Sequence, residues 1–356
     1  MGLKNIHSVR LGAMLSTSAS KPIKRKVRFI NSSGSILNSY DVDNFDNCFI
    51  TEQDSYKERT PYAYIVNGNL YYYKNSSSTL LKDNSGLCTC CDPRFVKERL
   101  YYVRDSAVWS FSSLDATPSA FTSDKQMSSS KVKKILTPMN NGRIAYLTTA
   151  GDLYYRQTDS SLAGSSVQDM CGNAYVFNGN NYYSWFVLYK SGVAEHKHYY
   201  SASGYYGQSY SNYKYITCYS YSGYVSSSTK SPAIFCGIST VDNWMIADTN
   251  TGVQVSEITA GVRINSTDTK YLYAVGLDKK LYYSIVTNKI TQAPTVLDDS
   301  GEWQSVAALS ENTGCLAIKD GKVYKIVGTT ITELVNLGTG NTRLRGCDQY
   351  LLYTEE

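Results

Sequence analysis

Three histidines serve a chain of 356 residues, and two of them, in Ala194-Glu195-His196-Lys197-His198, are spaced to work together. Residues two apart on a strand share a face, so His196 and His198 suit a metal pair. Zinc takes four ligands, and no further histidine or cysteine is spaced to complete the set, so the simpler reading is surface histidine and no metal is assigned. Cys88-Thr89-Cys90-Cys91 is the one cysteine cluster, and no second knuckle answers it. Asp298-Asp299 supply the two acids that glycoside hydrolysis uses, but Ser300-Gly301 follows directly, which is turn composition. No nucleophile elbow, Walker loop or dinucleotide fingerprint occurs. The expectation is a protein that is not an enzyme and has no cofactor.

Recognition chemistry is better represented. The chain holds 33 tyrosines, and 10 of them fall between Tyr199 and Tyr224, set among serine and glycine. Tyrosine offers rigid amphipathic area at low entropic cost, while Ser and Gly adapt around it, and its ring stacks on sugar faces. Tyr205, Tyr206, Tyr210, Tyr213, Tyr215 and Tyr219 are the expected ligand-binding residues. The alternative is that these rings pack between structural units or line a subunit contact.

The elements that position such residues are strands. Tyrosine, Gly 25, Pro 7 and a charged fraction of only 18% favour short strands and turns over helices, and 42% hydrophobic residues suffice for a core. An apolar strand, a tight turn and a second strand recur as Tyr64 to Tyr72, Ile144 to Tyr155, Leu272 to Tyr283 and Leu316 to Tyr324. Weaker copies are Leu100 to Val103, Phe186 to Val193 and Trp244 to Val253. Asn67-Gly68 and Asp320-Gly321 supply the positive φ that hairpin turns demand.

Taking Leu70, Leu100, Leu153, Val193, Val253, Leu281 and Val323 as equivalent gives a mean period of about 42 residues, the length of a four-stranded propeller blade. The expected fold is all-β: a β-propeller of about seven four-stranded blades over 26–356, with a Tyr/Ser/Gly-rich insertion at 199–230 and an extended N-terminal arm over 1–25. Two unrelated β-sandwiches are the alternative. The terminal strand at Tyr350 to Tyr353 is expected to complete the first blade and so remove the open edge of the ring. Arm residues Leu3, Ile6, Val9 and Leu11 are the expected docking contacts for a partner.

Charge and targeting narrow the setting. The net charge of +5 reflects 35 basic and 30 acidic residues, with a local cluster at Lys21, Lys24, Arg25 and Lys26 but no basic stripe for nucleic acid. No apolar run reaches the roughly 18 residues of a membrane span. The apolar patch near Leu11 is too short for a secretory signal, so synthesis in a cytoplasm without a signal peptide is expected. Nine cysteines, mostly isolated in apolar contexts, read as free buried thiols.

Two resemblances follow from quoted residues. Trp303 to Leu309, followed by Cys315-Leu316-Ala317-Ile318-Lys319-Asp320-Gly321-Lys322-Val323-Tyr324, resembles a blade of the regulator-of-chromosome-condensation type of propeller, which implies the fold and little about function. Met1 to Gly12 leading into Lys26 to Leu37 is similar to the start of tail-tip and fibre proteins of tailed bacteriophages. That resemblance implies a virion tail component, present in several copies, docked to other tail proteins by its arm and binding a host-surface glycan or protein. A cytoplasmic propeller scaffold for protein–protein interaction is the alternative, and a carbohydrate-active enzyme a third.

Overall fold

The computed structural model describes residues 23–50, 62–74, 76–82, 94–96, 99–104, 107–111, 119–120, 132–136, 145–155, 161–177, 180–200, 204–219, 221–222, 234–246, 249–259, 264–265, 270–287, 290–309, 314–338 and 342–356. Apart from one 3-10 turn at Phe45–Asn47, every regular element among them is a β-strand. Among the described residues strand pairing gives six four-stranded antiparallel sheets, one two-stranded parallel pair (Tyr221–Ser222 with Ile264–Asn265) and one eight-stranded sheet. The latter is two meanders joined through Thr249–Ile258: its first half pairs with Asn243–Ile246, its second half with Lys270–Gly276. The described residues therefore form eight blade-sized units, where the sequence reading expected about seven.

We number the blades in chain order. Blade 1 combines Thr342–Cys347 and Gln349–Glu355 with Arg25–Asn31 and Ile36–Asp41. The inner strands of blades 2 to 8 are Phe49–Ile50, Arg94–Val96, Val132–Leu136, Val167–Phe177, Tyr213–Tyr219, the second half of Thr249–Ile258, and Trp303–Ala308. Shared apolar clusters join blade 8 to 1, 1 to 2, 2 to 3 and 4, 5 to 6, 6 to 7 and 7 to 8. An ion pair from Lys134 Nζ to Asp169 Oδ1, 2.9 Å, joins blades 4 and 5. The ring is closed, and each blade buries its two faces against its neighbours.

The periodicity is tighter than the sequence repeat suggested. Each third strand opens on a buried residue paired with a buried residue of the second strand: Leu70 with Ile65, Val108 with Val103, Leu153 with Leu147, Ala194 with Leu188, Trp244 with Ile238, Leu281 with Val275 and Val323 with Ile318. Successive positions lie 38, 45, 41, 50, 37 and 42 residues apart. Leu100 and Val253, taken as equivalents from sequence, fall on the second strand of blade 3 and the outer strand of blade 6, which explains the uneven spacing they gave.

The terminal strand completes blade 1 as expected. Gln349–Glu355 runs antiparallel to Arg25–Asn31 over seven pairs, and Lys24 and Glu356 exchange backbone hydrogen bonds beyond its end. Side chains reinforce the seam: Arg25 pairs with Glu355 at 3.2 Å, Lys26 with Glu356 at 3.6 Å, and Arg28 with Glu356 and the Thr354 hydroxyl. The basic cluster of the sequence is thus partly spent on ring closure.

Candidate interaction site

A backbone belt runs along one face of blades 4 to 8. The N–H that opens the inner strand of each of blades 5 to 8 donates to the carbonyl of the preceding blade's central hairpin: Val167 to Gly151, Tyr213 to Gly192, Val255 to Asp242 and Trp303 to Lys279, all 2.8–3.0 Å, and the N–H of Leu337, just past the outer strand of blade 8, donates to Gly321 of that blade's hairpin at 3.2 Å. The same hairpins donate back to the opening of their own inner strand, as Lys190 to Ser166, Thr240 to Asn212, Leu277 to Gln254 and Asp320 to Glu302. Turn chemistry accounts for it. Gly151 has φ +98, and a Cβ there would stand 2.9 Å from the Val167 carbonyl, so only glycine lets the next blade approach this closely.

Next to the belt, five consecutive inner strands carry the same irregularity. The register slips by one residue between Val132 and Lys134, Val167 and Asp169, Tyr213 and Tyr215, Val255 and Glu257, and Trp303 and Ser305. A bulge re-aims the extra side chain and ends regular pairing. The extra residue is polar every time: Lys133, Gln168, Lys214, Ser256 and Gln304. The residue before it is buried in each case, whereas Lys133, Lys214 and Ser256 are exposed. Arg343, also exposed, takes the corresponding second place in the inner strand of blade 1.

These side chains reach from blade to blade. Lys133 Nζ donates to the Gln168 carbonyl at 2.9 Å and Gln168 Nε2 to the Lys214 carbonyl at 3.1 Å, while Lys214 pairs with Asp242 in the hairpin of its own blade. Thr342 Oγ1 meets Gln304 Oε1 at 2.6 Å, and Arg343 lies 3.7 Å from Asp46. The result is a polar rim on a backbone that the belt holds rigid. Exposed apolar residues sit on the same side: Tyr215 (38% exposed) on the inner strand of blade 6, and Val241 (61%) and Leu277 (46%) at the hairpins of blades 6 and 7.

One step further in lies Glu257. Ser305 Oγ donates to its carboxylate at 3.0 Å while accepting from the Leu344 amide at 3.0 Å, so one hydroxyl links blades 7, 8 and 1. Burial pushes the Glu257 carboxyl up to about 7, against the opposing pull of Ser305, the Val306 amide, Arg343 and Arg345. Glu257 thus lies between blades 7, 8 and 1 with only a small part of its surface exposed. Arg345 in turn donates to the Cys48 carbonyl and sits over the Phe45 and Phe49 rings at 4.8 and 5.5 Å.

The structure divides the expected tyrosine site. Tyr213 is buried between blades 5 and 6, Tyr210 packs half-buried against the same cluster, and Tyr215 is on the rim beside them. Tyr205 and Tyr206 belong to the outer strand of blade 5, Gly204–Tyr210, near the opposite end, and Tyr219 closes the inner strand of blade 6 at that end. Within the span 199–230 that reads as an insertion, 199–200, Gly204–Tyr210 and Tyr213–Tyr219 are blade strand, and Tyr221–Ser222 pairs in parallel with Ile264–Asn265. Leu3, Ile6, Val9 and Leu11 lie outside the described residues, as does Cys88-Thr89-Cys90-Cys91. His196 and His198 fall on the third strand of blade 5, and the described residues hold no group of three or more potential metal ligands.

Asp298 behaves as a turn residue, accepting from Ser300 N and Oγ. It also accepts from Trp303 Nε1 and Lys319 Nζ, both at 2.9 Å, an interblade lock that the dipeptide alone does not announce. Burial raises its carboxyl, but the bonds from Lys319, Ser300 and Trp303 outweigh that and hold it at about 2. Cys48, Cys236, Cys315 and Cys347 are buried and Cys171 is half-buried, none of the five in a disulfide.

No family model matches the sequence, and no curated protein is similar enough to match. Solved structures do match in shape. A chain of the mitotic checkpoint complex is 11% identical, with a TM-score of 0.49 over 87% of this chain and 95% of that one. Sqt1 of Saccharomyces cerevisiae is 10% identical, TM-score 0.49, over 86% and 95%. The WD40 domain of SCAP from fission yeast is 9% identical, TM-score 0.48, over 86% and 94%. At this distance the propeller assignment rests on the strand pairing itself. The finer resemblances, to the regulator-of-chromosome-condensation type and to tail proteins, gain nothing from these neighbours.

Proposed function

We propose that this chain is a non-catalytic propeller scaffold that holds a protein partner across the belt face, at the mouth of the ring. The observation that carries the reading is the repeated bulge, which sets Lys133, Gln168, Lys214, Ser256 and Gln304 around one opening on backbone tied blade to blade. Apolar anchors at Tyr215, Val241 and Leu277 beside a polar rim match the anatomy of protein interfaces, in which a few buried anchors provide most of the energy and the rim provides specificity. Rigid backbone lowers the ordering cost of binding.

The test is crosslinking capture from the source cells with wild-type protein and the variant Val241→Ser/Leu277→Ser/Lys133→Glu. Partners crosslinked to the belt face in the wild type, and lost from the variant at an unchanged melting temperature, support the reading; identical capture overturns it. The tail-particle setting expected from the sequence depends on the arm residues Leu3, Ile6, Val9 and Leu11, and no observation in the fold favours it over a scaffold elsewhere.

A further inference from the structure

Arg345 has no carboxylate partner of its own. Half-buried on the inner strand of blade 1, it donates to the Cys48 carbonyl and lies over the Phe45 and Phe49 rings at 4.8 and 5.5 Å. Those are its polar and ring contacts among the described residues, and none is an acid. A guanidinium carries five N–H donors and a full charge, and a carbonyl and two ring faces answer only part of that. Taking a charge out of water costs stability unless an opposite charge compensates.

The neighbouring strand and turn hold this side chain in place. Leu344 packs into the cluster shared by blades 8 and 1, so Arg343 and Arg345, at the alternate positions, face blade 2 together. They stand about 7 Å apart along the strand, at 3.3 Å per residue. On the facing side Asn44 caps the 3-10 turn Phe45–Asn47 by accepting from the Asp46 amide at 2.8 Å, and the Cys48 amide closes the turn on the Phe45 carbonyl at 2.9 Å. Phe45 is buried and stacked on Tyr353, with ring centroids 5.2 Å apart. Ring platform and acceptor are therefore set before any ligand arrives.

The acids nearby leave the charge of Arg345 unmet. Asp46 lies 3.7 Å from Arg343, and with side chains 70% and 63% exposed that pair is loose and screened. Glu257, which feels both arginines, has its carboxyl pushed up to about 7 by burial, so near neutral pH it is only partly ionised. Arg343 stands at the rim and Arg345 beneath it. A planar carboxylate fits such guanidinium forks through paired N–H bonds, which a lysine ammonium does not offer.

We propose that Arg345, with Arg343 above it, is a carboxylate-binding site at the junction of blades 1 and 2, taking an acidic side chain or the terminal carboxylate of a protein partner that enters from the belt face. The site follows from the geometry of blades 1 and 2; the source of its carboxylate rests on the scaffold reading.

The experiment titrates the full chain with two fluorescein-labelled, C-terminally amidated peptides, one of four Gly-Ser-Glu repeats and one of four Gly-Ser-Gln repeats. The wild type should bind the acidic peptide about tenfold or more tighter, and Arg345→Lys, which keeps the charge and loses the fork, should abolish that preference. A smaller preference in the wild type, or one that Arg345→Lys retains, overturns the proposal, the second by assigning the attraction to the net charge of +5. If the Arg345 variant does not fold, as its melting curve reports, Arg343→Gln replaces it, and an unchanged preference has the same force. Crosslinking capture from the source cells separates this proposal from the scaffold reading. Partners lost with Val241→Ser/Leu277→Ser/Lys133→Glu but kept with Arg343→Gln/Arg345→Lys leave the scaffold and overturn the carboxylate site. A peptide preference that Arg345→Lys abolishes, beside capture that neither variant changes, supports the site and removes the scaffold partner as the source of its ligand.

Discussion

Replacing Glu257 by glutamine tests the interior of the ring. Its carboxyl ordinarily titrates near 4.5 and in the fold near 7, so the folded state disfavours the charged form. A raised value means that the stabilising contribution is complete below the ordinary value and is lost as pH climbs through about 7. Between those two values the loss amounts to about 3 kcal/mol, at 1.36 kcal/mol per pH unit. Glutamine keeps an acceptor for the Ser305 hydroxyl and cannot ionise. The variant should therefore exceed the wild type by under about 1 kcal/mol at pH 5 and by about 3 kcal/mol at pH 8. For a chain of this length that is about 4 °C of melting temperature at pH 8. Paired thermal melts at the two pH values measure the difference, and other titrating groups cancel in the comparison. A gap that stays constant from pH 5 to 8, or a variant less stable at pH 8, would show that Glu257 is not held in a desolvated position between blades 7, 8 and 1.

Charge reversal at the seam, Glu355→Lys with Glu356→Lys, should lower the melting temperature at low salt, and by clearly less in 1 M NaCl, because these pairs are partly exposed and screened; equal loss at both salt concentrations would contradict an ionic seam. Gly151→Ala should cost about 1–3 kcal/mol, since its φ of +98 and its 2.9 Å approach to the Val167 carbonyl both oppose a side chain. Hydrogen exchange at the Val167 amide should rise in the same variant, and unchanged protection there would mean that the belt tolerates the methyl.

Much of the fold was legible because its signals are local. Asn67-Gly68 and Asp320-Gly321 turn where their composition says, with positive φ at all four residues, and the aliphatic alternation around them builds the second and third strands of each blade. The closing strand was legible from Tyr350 to Tyr353 because an apolar end needs a partner. Legibility failed where the signal lies between strands. Tyrosine, serine and glycine lack aliphatic alternation, so 199–230 looks like an insertion, although Tyr199 and Tyr200 pair in register with Asn180–Tyr189, Gly204–Tyr210 with Ala194–Tyr200, and Tyr213–Tyr219 with Ile234–Ser239. Tyr175, Tyr182 and Tyr183 are distant in sequence from Tyr199 and Tyr205, and only the register brings them into one block. Nor does a lone lysine or glutamine after a buried residue announce a bulge; Lys133, Gln168 and Lys214 become a set only once their strands are aligned around the ring.

The seam also sets an order of events during synthesis. Arg25 and its partner Glu355 are separated by 330 residues, which at 5–20 residues per second leaves the half-made blade waiting roughly 15–65 s. Through that interval the edge later covered by Gln349–Glu355 is open to any passing strand. Arg25, Lys26 and Arg28, which end as partners of Glu355 and Glu356, put three like charges on that edge, and charged edges resist pairing with other chains. The cations that fasten the finished ring are thus positioned to guard the nascent one, keeping the strand solitary until its own terminus arrives.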